Sequence, residues 1–470
     1  MLFSQTRLNG LLKQIFHDLL YFLILLYGLH SAKLAWNNDR SSEEPLPDPV
    51  KAYGVSVTIG LYILRYLALL ALPQVLFNFF GLFFLNAFRE TVESHAPPGD
   101  VPKLRFRCVT RGTFPELVHR TVERNLETVR RVGVVNYLYE VVTDNAISLP
   151  ANESLKQIVV PTEYRSKTGA LFKSRALQYC LEPGIYDCDD GTWIVHLDEE
   201  TLLTERSVNG IINFVCDGKH AFGQGLVTYA NDVVVNWITT TADSFRVADD
   251  MGKQRVQLKM FHKPLFSWKG SYVVTRATAE KDVTYDNGPD GSIAEDCYFA
   301  MKAFEKGYSF NWIEGEMWEK SPFTLSDLLK QRKRWIQGIF LVVHNHDIKF
   351  RYKIFLALSL YAWLSLPLST LCAVLNFTLP AAYPHWLEWL TAWIASVNIY
   401  MFLFGALRSF PFRRLGVFRG FLCLIGAVLF IPVNVVIENV AVVWAIFSEK
   451  HQFYIVDKDY LGRTMGGSVV

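Results

Sequence analysis

The chain has 470 residues and a formal net charge of +2, so no strong field for nucleic acid or another polyanion surrounds it. It is 51% hydrophobic and 14% aromatic, which excludes a disordered chain and is rich for an ordinary soluble enzyme. Its seven cysteines (Cys108, Cys180, Cys188, Cys216, Cys297, Cys372, Cys423) lack CxxC spacing, which argues against a zinc site or disulfide scaffold and suits a reducing compartment.

Residues 1–88 are predicted as a membrane region with two spans, 19–35 and 66–88, each near the roughly 20 apolar residues that cross a bilayer. Lys33 stands where cleavage after Ala35 would need a small residue, so the first span is expected to be a retained anchor. Arg7 and Lys13 precede it, the connector 37–51 carries more acid than base, and Arg89, Lys103, Arg105 and Arg107 follow the second span. The positive-inside rule then places residues 89–350 in the cytosol, with Arg65 snorkelling at the far end of the second span.

Residues 89–320 alternate short apolar runs with helical periodicity. Strands are expected over 104–112, 136–146, 156–164 and 192–200, and helices over 115–132 and 167–182, which predicts a doubly wound α/β domain. Ligands in such folds bind beyond the carboxyl ends of strands. The absence of GxGxxG and Walker A loops supports neither a dehydrogenase nor a P-loop NTPase. The expected strand ends carry Thr110-Arg111-Gly112, Thr143-Asp144-Asn145 and Asp198-Glu199-Glu200. Carboxylates at i and i+2 such as Asp198 and Glu200 suit Mg²⁺ or Mn²⁺ with room left for substrate phosphates, although a solvated turn has the same composition. Glu295 and Asp296 begin a helical pattern, where they serve either as a helix cap or as a general base.

Residues 321–350 read as an interfacial amphipathic helix. Gln331, Arg334, Trp335 and Gly338 share one face, beside an apolar stripe that includes Leu328, Leu329 and Ile336 and is expected to lie on the membrane. Lys330, Arg332 and Lys333 suit lipid headgroups. Residues 351–447 hold about three further spans (354–378, 386–407, 418–447), with Glu438 an isolated charge, and 448–470 form a tail that an odd span count would place in the lumen.

An acidic DxE at the end of an apolar strand, ED at a helix start and QxxRW leading into membrane helices resemble family 2 inverting glycosyltransferases of the GT-A fold. The wording VTRGTFPELVHRTVERN, HLDEETLLTE, GSIAEDCYFAMKAFEKGYSFNWIEGEMWEKSPFT and LLKQRKRWIQG is similar to the invertebrate β-1,4-mannosyltransferases of glycolipid synthesis. The resemblance implies transfer of mannose from GDP-mannose to glucosylceramide, with Mn²⁺ or Mg²⁺, in the ER or Golgi membrane. It also implies roles. Asp296 is the catalytic base. Thr110, Arg111, Asp144, Lys173, Asp198, Gln331 and Arg334 face the nucleotide-sugar donor, and Glu295 and Trp335 the acceptor; Asp198 and Glu200 hold the metal. The chain departs from the pattern at Glu200 (a longer carboxylate than Asp), at Ala294 (in place of threonine) and at Thr110-Arg111-Gly112. The rival readings are a processive polysaccharide synthase using a UDP-sugar and, from another class, a membrane transporter or receptor with a cytosolic nucleotide-binding domain.

Overall fold

The computed structural model describes residues 2–41, 47–89, 91–232, 234–410, 415–451 and 454. Part of the acidic connector, Arg413, Arg414 and most of the expected tail lie outside the described residues.

The middle of the chain forms a seven-stranded sheet in the order β3-β2-β1-β4-β6-β5-β7. The strands are β1 Leu104–Thr110, β2 Tyr137–Thr143, β3 Leu155–Val159, β4 Trp193–Asp198, β5 Phe222–Thr228, β6 Val273–Arg276 and β7 Phe310–Trp318. Of the first four, β1, β2 and β4 fall inside the expected runs and β3 begins one residue before its own, while the helix Pro115–Val132 matches its predicted span. Pro115 starts that helix, Gly133 at φ 89° ends it, and its buried stripe Leu117, Val118, Val122, Leu126 and Val129 packs on the sheet. β1 and β4 run parallel and the strand order reverses between them, so their carboxyl ends open a crevice. Thr110 is in register with Thr143, and Val109 with Asp198, which sets three of the predicted strand ends side by side.

The sheet is mixed. Only β6 runs antiparallel to its neighbours, pairing with β4 and β5. Its amino end therefore lies beside the carboxyl end of β4, and the residues entering it, Gly270 and Ser271, join the crevice. Ser271 Oγ is 2.8 Å from Thr201 Oγ1 in the turn after Asp198.

Among the described residues, three helical stretches are long and apolar enough to cross a membrane: Gly10–Lys33, Pro49–Phe84 and His385–Ser409. The second begins at Pro49 and ends at Phe84, not at 66 and 88, and carries a kink at Gly54. Two further pairs are bent, Ile354–Leu364 with Leu366–Thr378 by 47° and Val417–Leu429 with Ile431–Phe447 by 50°. Arg65 does not snorkel into water, because its guanidinium donates to Glu388 at 2.7 Å and to Thr391 at 2.9 Å.

The last bent pair packs against the domain. Leu424 and Ala427 pack with Ala230, Ala406 and Phe410, while Ser448 accepts from Gln337 and His451 lies 2.6 Å from Asp290. Tyr454 donates to Asp327 at 2.6 Å. The described start of the tail therefore lies against the catalytic domain. The helix Ile431–Phe447 covers the helix Leu325–His344. Leu328 packs with Ala242 and Ile437, and Ile336 with Ala441, Val442 and Ala445. The apolar stripe expected on lipid is thus covered by protein. An apolar stripe specifies a partner of low polarity and does not say whether that partner is lipid or another helix.

Candidate active site

The crevice gathers carboxylates around one lysine. The helix Phe172–Tyr179 carries Lys173 to the carboxyl edge, where its Nζ donates to Asp198 Oδ1 at 2.6 Å and to the Gly270 carbonyl at 3.0 Å. The same nitrogen lies 3.9 Å from Glu295 Oε1. Asp198 is about one-third exposed, Glu199 is buried, and Glu200 is half-buried. Asp198 meets Lys173 in the crevice, while Glu199 turns inward to the Thr110 hydroxyl.

Glu295 and Asp296 open the helix Glu295–Glu305. Asp296 Oδ1 accepts from the Cys297 backbone at 2.7 Å. A methyl group at Gly270 would lie 3.3 Å from Asp296 Oδ2, 3.4 Å from Glu295 Oε1 and 3.2 Å from Lys173 Nζ. The missing side chain there keeps open the space these groups face.

Burial and the neighbouring Asp296 push the Glu295 carboxyl up to about 7, against the pull of Lys173 and Arg334. Burial raises Asp296 as well, opposed by the Cys297 amide, Lys173 and Arg334. Burial works against the Lys173 charge, but Asp198, Glu295 and Asp296 outweigh it and hold the ammonium protonated.

The helix Leu325–His344 supplies Arg334. A Cβ on Gly338 would come within 2.7 Å of Ala294 Cβ, so glycine is what lets this helix approach the start of the Glu295 helix. One turn back from that contact, Arg334 brings its charge to bear on both acids. Trp335 is half-buried, with the Arg246 guanidinium 4.2 Å and the Arg332 guanidinium 4.6 Å from its ring centre.

Not every predicted residue reaches the crevice by its side chain. Thr110 is buried, donating to Glu199 and accepting from Gly112 N at 3.0 Å, so its hydroxyl holds the turn. Arg111 is exposed. Asp144 is about one-third exposed and paired with Arg175 at 2.6 Å. Arg332 and Lys333, assigned above to headgroups, are 3% and 9% exposed. Arg332 pairs with Asp243 at 2.7 Å and Glu438 at 3.1 Å, and Lys333 Nζ lies 5.0 Å from the Trp444 ring centre. The helix Ile431–Phe447 occupies the side where lipid was expected.

The model of the family described as "Glycosyl transferase family group 2" matches residues 193–407, which include Asp198, Asp296 and the QxxRW helix. The β-1,4-mannosyltransferase egh of Drosophila melanogaster is 56% identical over 453 residues, covering 96% of this chain and 98% of that protein. The β-1,4-mannosyltransferase bre-3 of Caenorhabditis elegans is 54% identical, covering 87% and 90%. This chain belongs to the egh and bre-3 family of β-1,4-mannosyltransferases. Among solved structures, the Pyrobaculum calidifontis mannosyltransferase PcManGT in complex with GDP-Man and Mn²⁺ aligns with 82% of this chain and 99% of its own, at TM-score 0.45 and 12% identity.

As a family 2 mannosyltransferase with a GT-A-like mixed sheet, the chain is a hexosyltransferase with helices suited to a membrane. Among the described residues no group of three or more His, Cys, Asp or Glu side chains is placed to hold an ion. Asp198, one-third exposed, and Glu200, half-buried, are the carboxylates of this turn with surface left for such an ion, and ions of the Mg²⁺ kind are commonly held by one or two carboxylates with substrate phosphates completing the shell. The sequence reading passed over Gly270, Asp243 and Arg246. They belong to no motif it used, and Gly270 reaches the site only because β6 reverses.

Proposed function

We propose that this mannosyltransferase transfers mannose from GDP-mannose to glucosylceramide with inversion, at the cytosolic face of ER or Golgi membranes, forming a β-1,4-mannosyl glycolipid. The observation that carries this reading is the Lys173 bridge, which ties the DxE turn at Asp198 to the acidic pair Glu295-Asp296. Donor-side and acceptor-side groups then meet across one small space. The names of the relatives support the sugar and linkage.

In this reading Asp144 contacts the nucleoside, and Lys173, Gln331 and Arg334 contact the diphosphate side of the donor, where a planar guanidinium suits phosphate oxygens. Asp198 and Glu200 would hold Mn²⁺ or Mg²⁺, which when bound neutralises charge on the leaving diphosphate. Glu295 and Trp335 hold the acceptor sugar. Asp296, the more accessible acid of the pair, takes the proton from the acceptor hydroxyl as that oxygen bonds to the anomeric carbon. The carbon–phosphate-oxygen bond breaks on the opposite side and GDP leaves, so an α-linked donor gives a β product.

The test is an assay of purified full-length protein in lipid, with GDP-mannose or UDP-glucose and glucosylceramide, with and without Mn²⁺. GDP-mannose should give one short product, and Asp296→Asn should lose on the order of 10²-fold or more, as removal of a general base does. Polymer made from the UDP-sugar, or wild-type turnover by Asp296→Asn, would overturn the reading.

A further inference from the structure

Arg332 is the second residue of the QxxRW segment and touches two of its three site residues. Its Nη1 donates to Gln331 Oε1 at 3.5 Å, and its guanidinium carbon lies 4.6 Å from the Trp335 ring centre. Two acids from other elements hold it. Nη2 donates to Asp243 Oδ1 at 2.7 Å, from the helix Trp237–Asp249, and Nε donates to Glu438 Oε1 at 3.1 Å, from the helix Ile431–Phe447. Glu438 Oε2 in turn accepts from Trp363 Nε1 at 3.0 Å, in the first bent pair. Asp243 also faces Arg246 at 3.5 Å, whose guanidinium lies on the same Trp335 ring.

Stability alone is a weak reason for this arrangement. Arg332 and Asp243 are almost fully buried, and apolar residues of similar volume commonly serve such a position at equal or better stability. An ion-pair triad does something apolar packing does not. Acids on two edges of a planar guanidinium fix the orientation of its plane, and that plane sets how it lies against an aromatic ring.

We propose that Arg332, held between Asp243 and Glu438, is a positioning residue that fixes Trp335 for the acceptor. The inference rests on the reading of Trp335 as an acceptor contact. It gives the otherwise isolated charge Glu438 a role: the membrane-side helices orient the acceptor subsite through Arg332.

The test uses full-length protein in lipid nanodiscs and compares Trp335→Leu, Glu438→Gln and Arg332→Lys. Each should raise the acceptor KM on the order of ten-fold, the equivalent of about 1.4 kcal/mol, while in Trp335→Leu and Glu438→Gln donor KM and GDP affinity stay at wild type. Glu438→Gln added to Trp335→Leu should have no further effect on acceptor KM, a result that general loosening of the fold would not give. If Trp335→Leu leaves acceptor KM unchanged, the acceptor reading of Trp335 falls and takes the proposal with it. If Trp335→Leu raises it but Glu438→Gln does not, or the double variant is additive, the proposal alone is overturned. Should Arg332→Lys fail to fold, Glu438→Gln, nearly isosteric with the native side chain, decides.

Discussion

At the residue scale, adjacent acids at one helix start carry the chemistry, and their titration is the measurable signature. A base has to be unprotonated, and burial raises both carboxyls, Glu295 to about 7. Wild-type kcat/KM should therefore fall toward acid pH, as the Asp296 carboxyl, raised by burial, takes up a proton. Replacing Glu295 by Gln removes the neighbouring negative charge while Lys173 and Arg334 keep pulling on Asp296. The acid limb should then move to lower pH, and a shift to higher pH would contradict the pairing. Both acids were legible in the sequence as a charged pair at a helix start. Their environment was not, because Lys173 is more than a hundred residues away and Gly270 contributes only a carbonyl and an open space.

At the element scale, two contacts decide whether the site assembles. Gly338 sets the distance between the QxxRW helix and the Glu295 helix, since a Cβ there would meet Ala294 at 2.7 Å. Gly338→Val should push Arg334 away from the acids and cost on the order of 10²-fold in kcat, the scale of an ångström-sized misplacement, with GDP-mannose turnover as the measurement. The sheet is held by a buried row of charges. Glu140, Arg107 and His196 are in register across β2, β1 and β4, with Glu280 from the helix Ala277–Val283 pairing with both Arg107 and His196. Arg107→Leu leaves the carboxylates of Glu140 and Glu280 without that partner and should cost about 3–5 kcal/mol, read as a lowered Tm in detergent. Sequence pattern alone took Arg105 and Arg107 as basic residues that orient the membrane region. Alternation in a strand shows which residues share a face, and a buried partner such as Glu140 becomes visible only with the register.

At the scale of the whole molecule, the membrane helices are joined to the catalytic domain and do more than anchor it. Gly81 in the helix Leu72–Phe84 packs against the backbone of Gly252, and Asn78 of the same helix donates to Asp249 at 3.0 Å and accepts from Lys253 N at 2.7 Å. Gly405 packs against the backbone of Ser244, next to Asp243. The orientation has a direct test, because Cys216 is an exposed thiol on the catalytic domain. In sealed microsomes with the cytosolic face outward, a membrane-impermeant maleimide should label Cys216 without detergent. Protection until the membrane is opened would reverse the proposed orientation.

The sequence by itself determined the parallel strands β1 to β4, the apolar character of both ends, and the order DxE, ED and QxxRW that marks the family. These are local properties, set by periodicity and by residue type at fixed spacing. Only the tertiary structure decided that β6 reverses and brings Gly270 to the acids, and that Lys173 bridges Asp198 and Glu295. It also decided that the helix Ile431–Phe447 packs on the helix Leu325–His344, so that Arg332 meets Glu438 where lipid was expected. Each of these depends on partners distant in sequence, and an apolar or charged face is equally satisfied, as far as local pattern goes, by lipid, water or another element of the same chain.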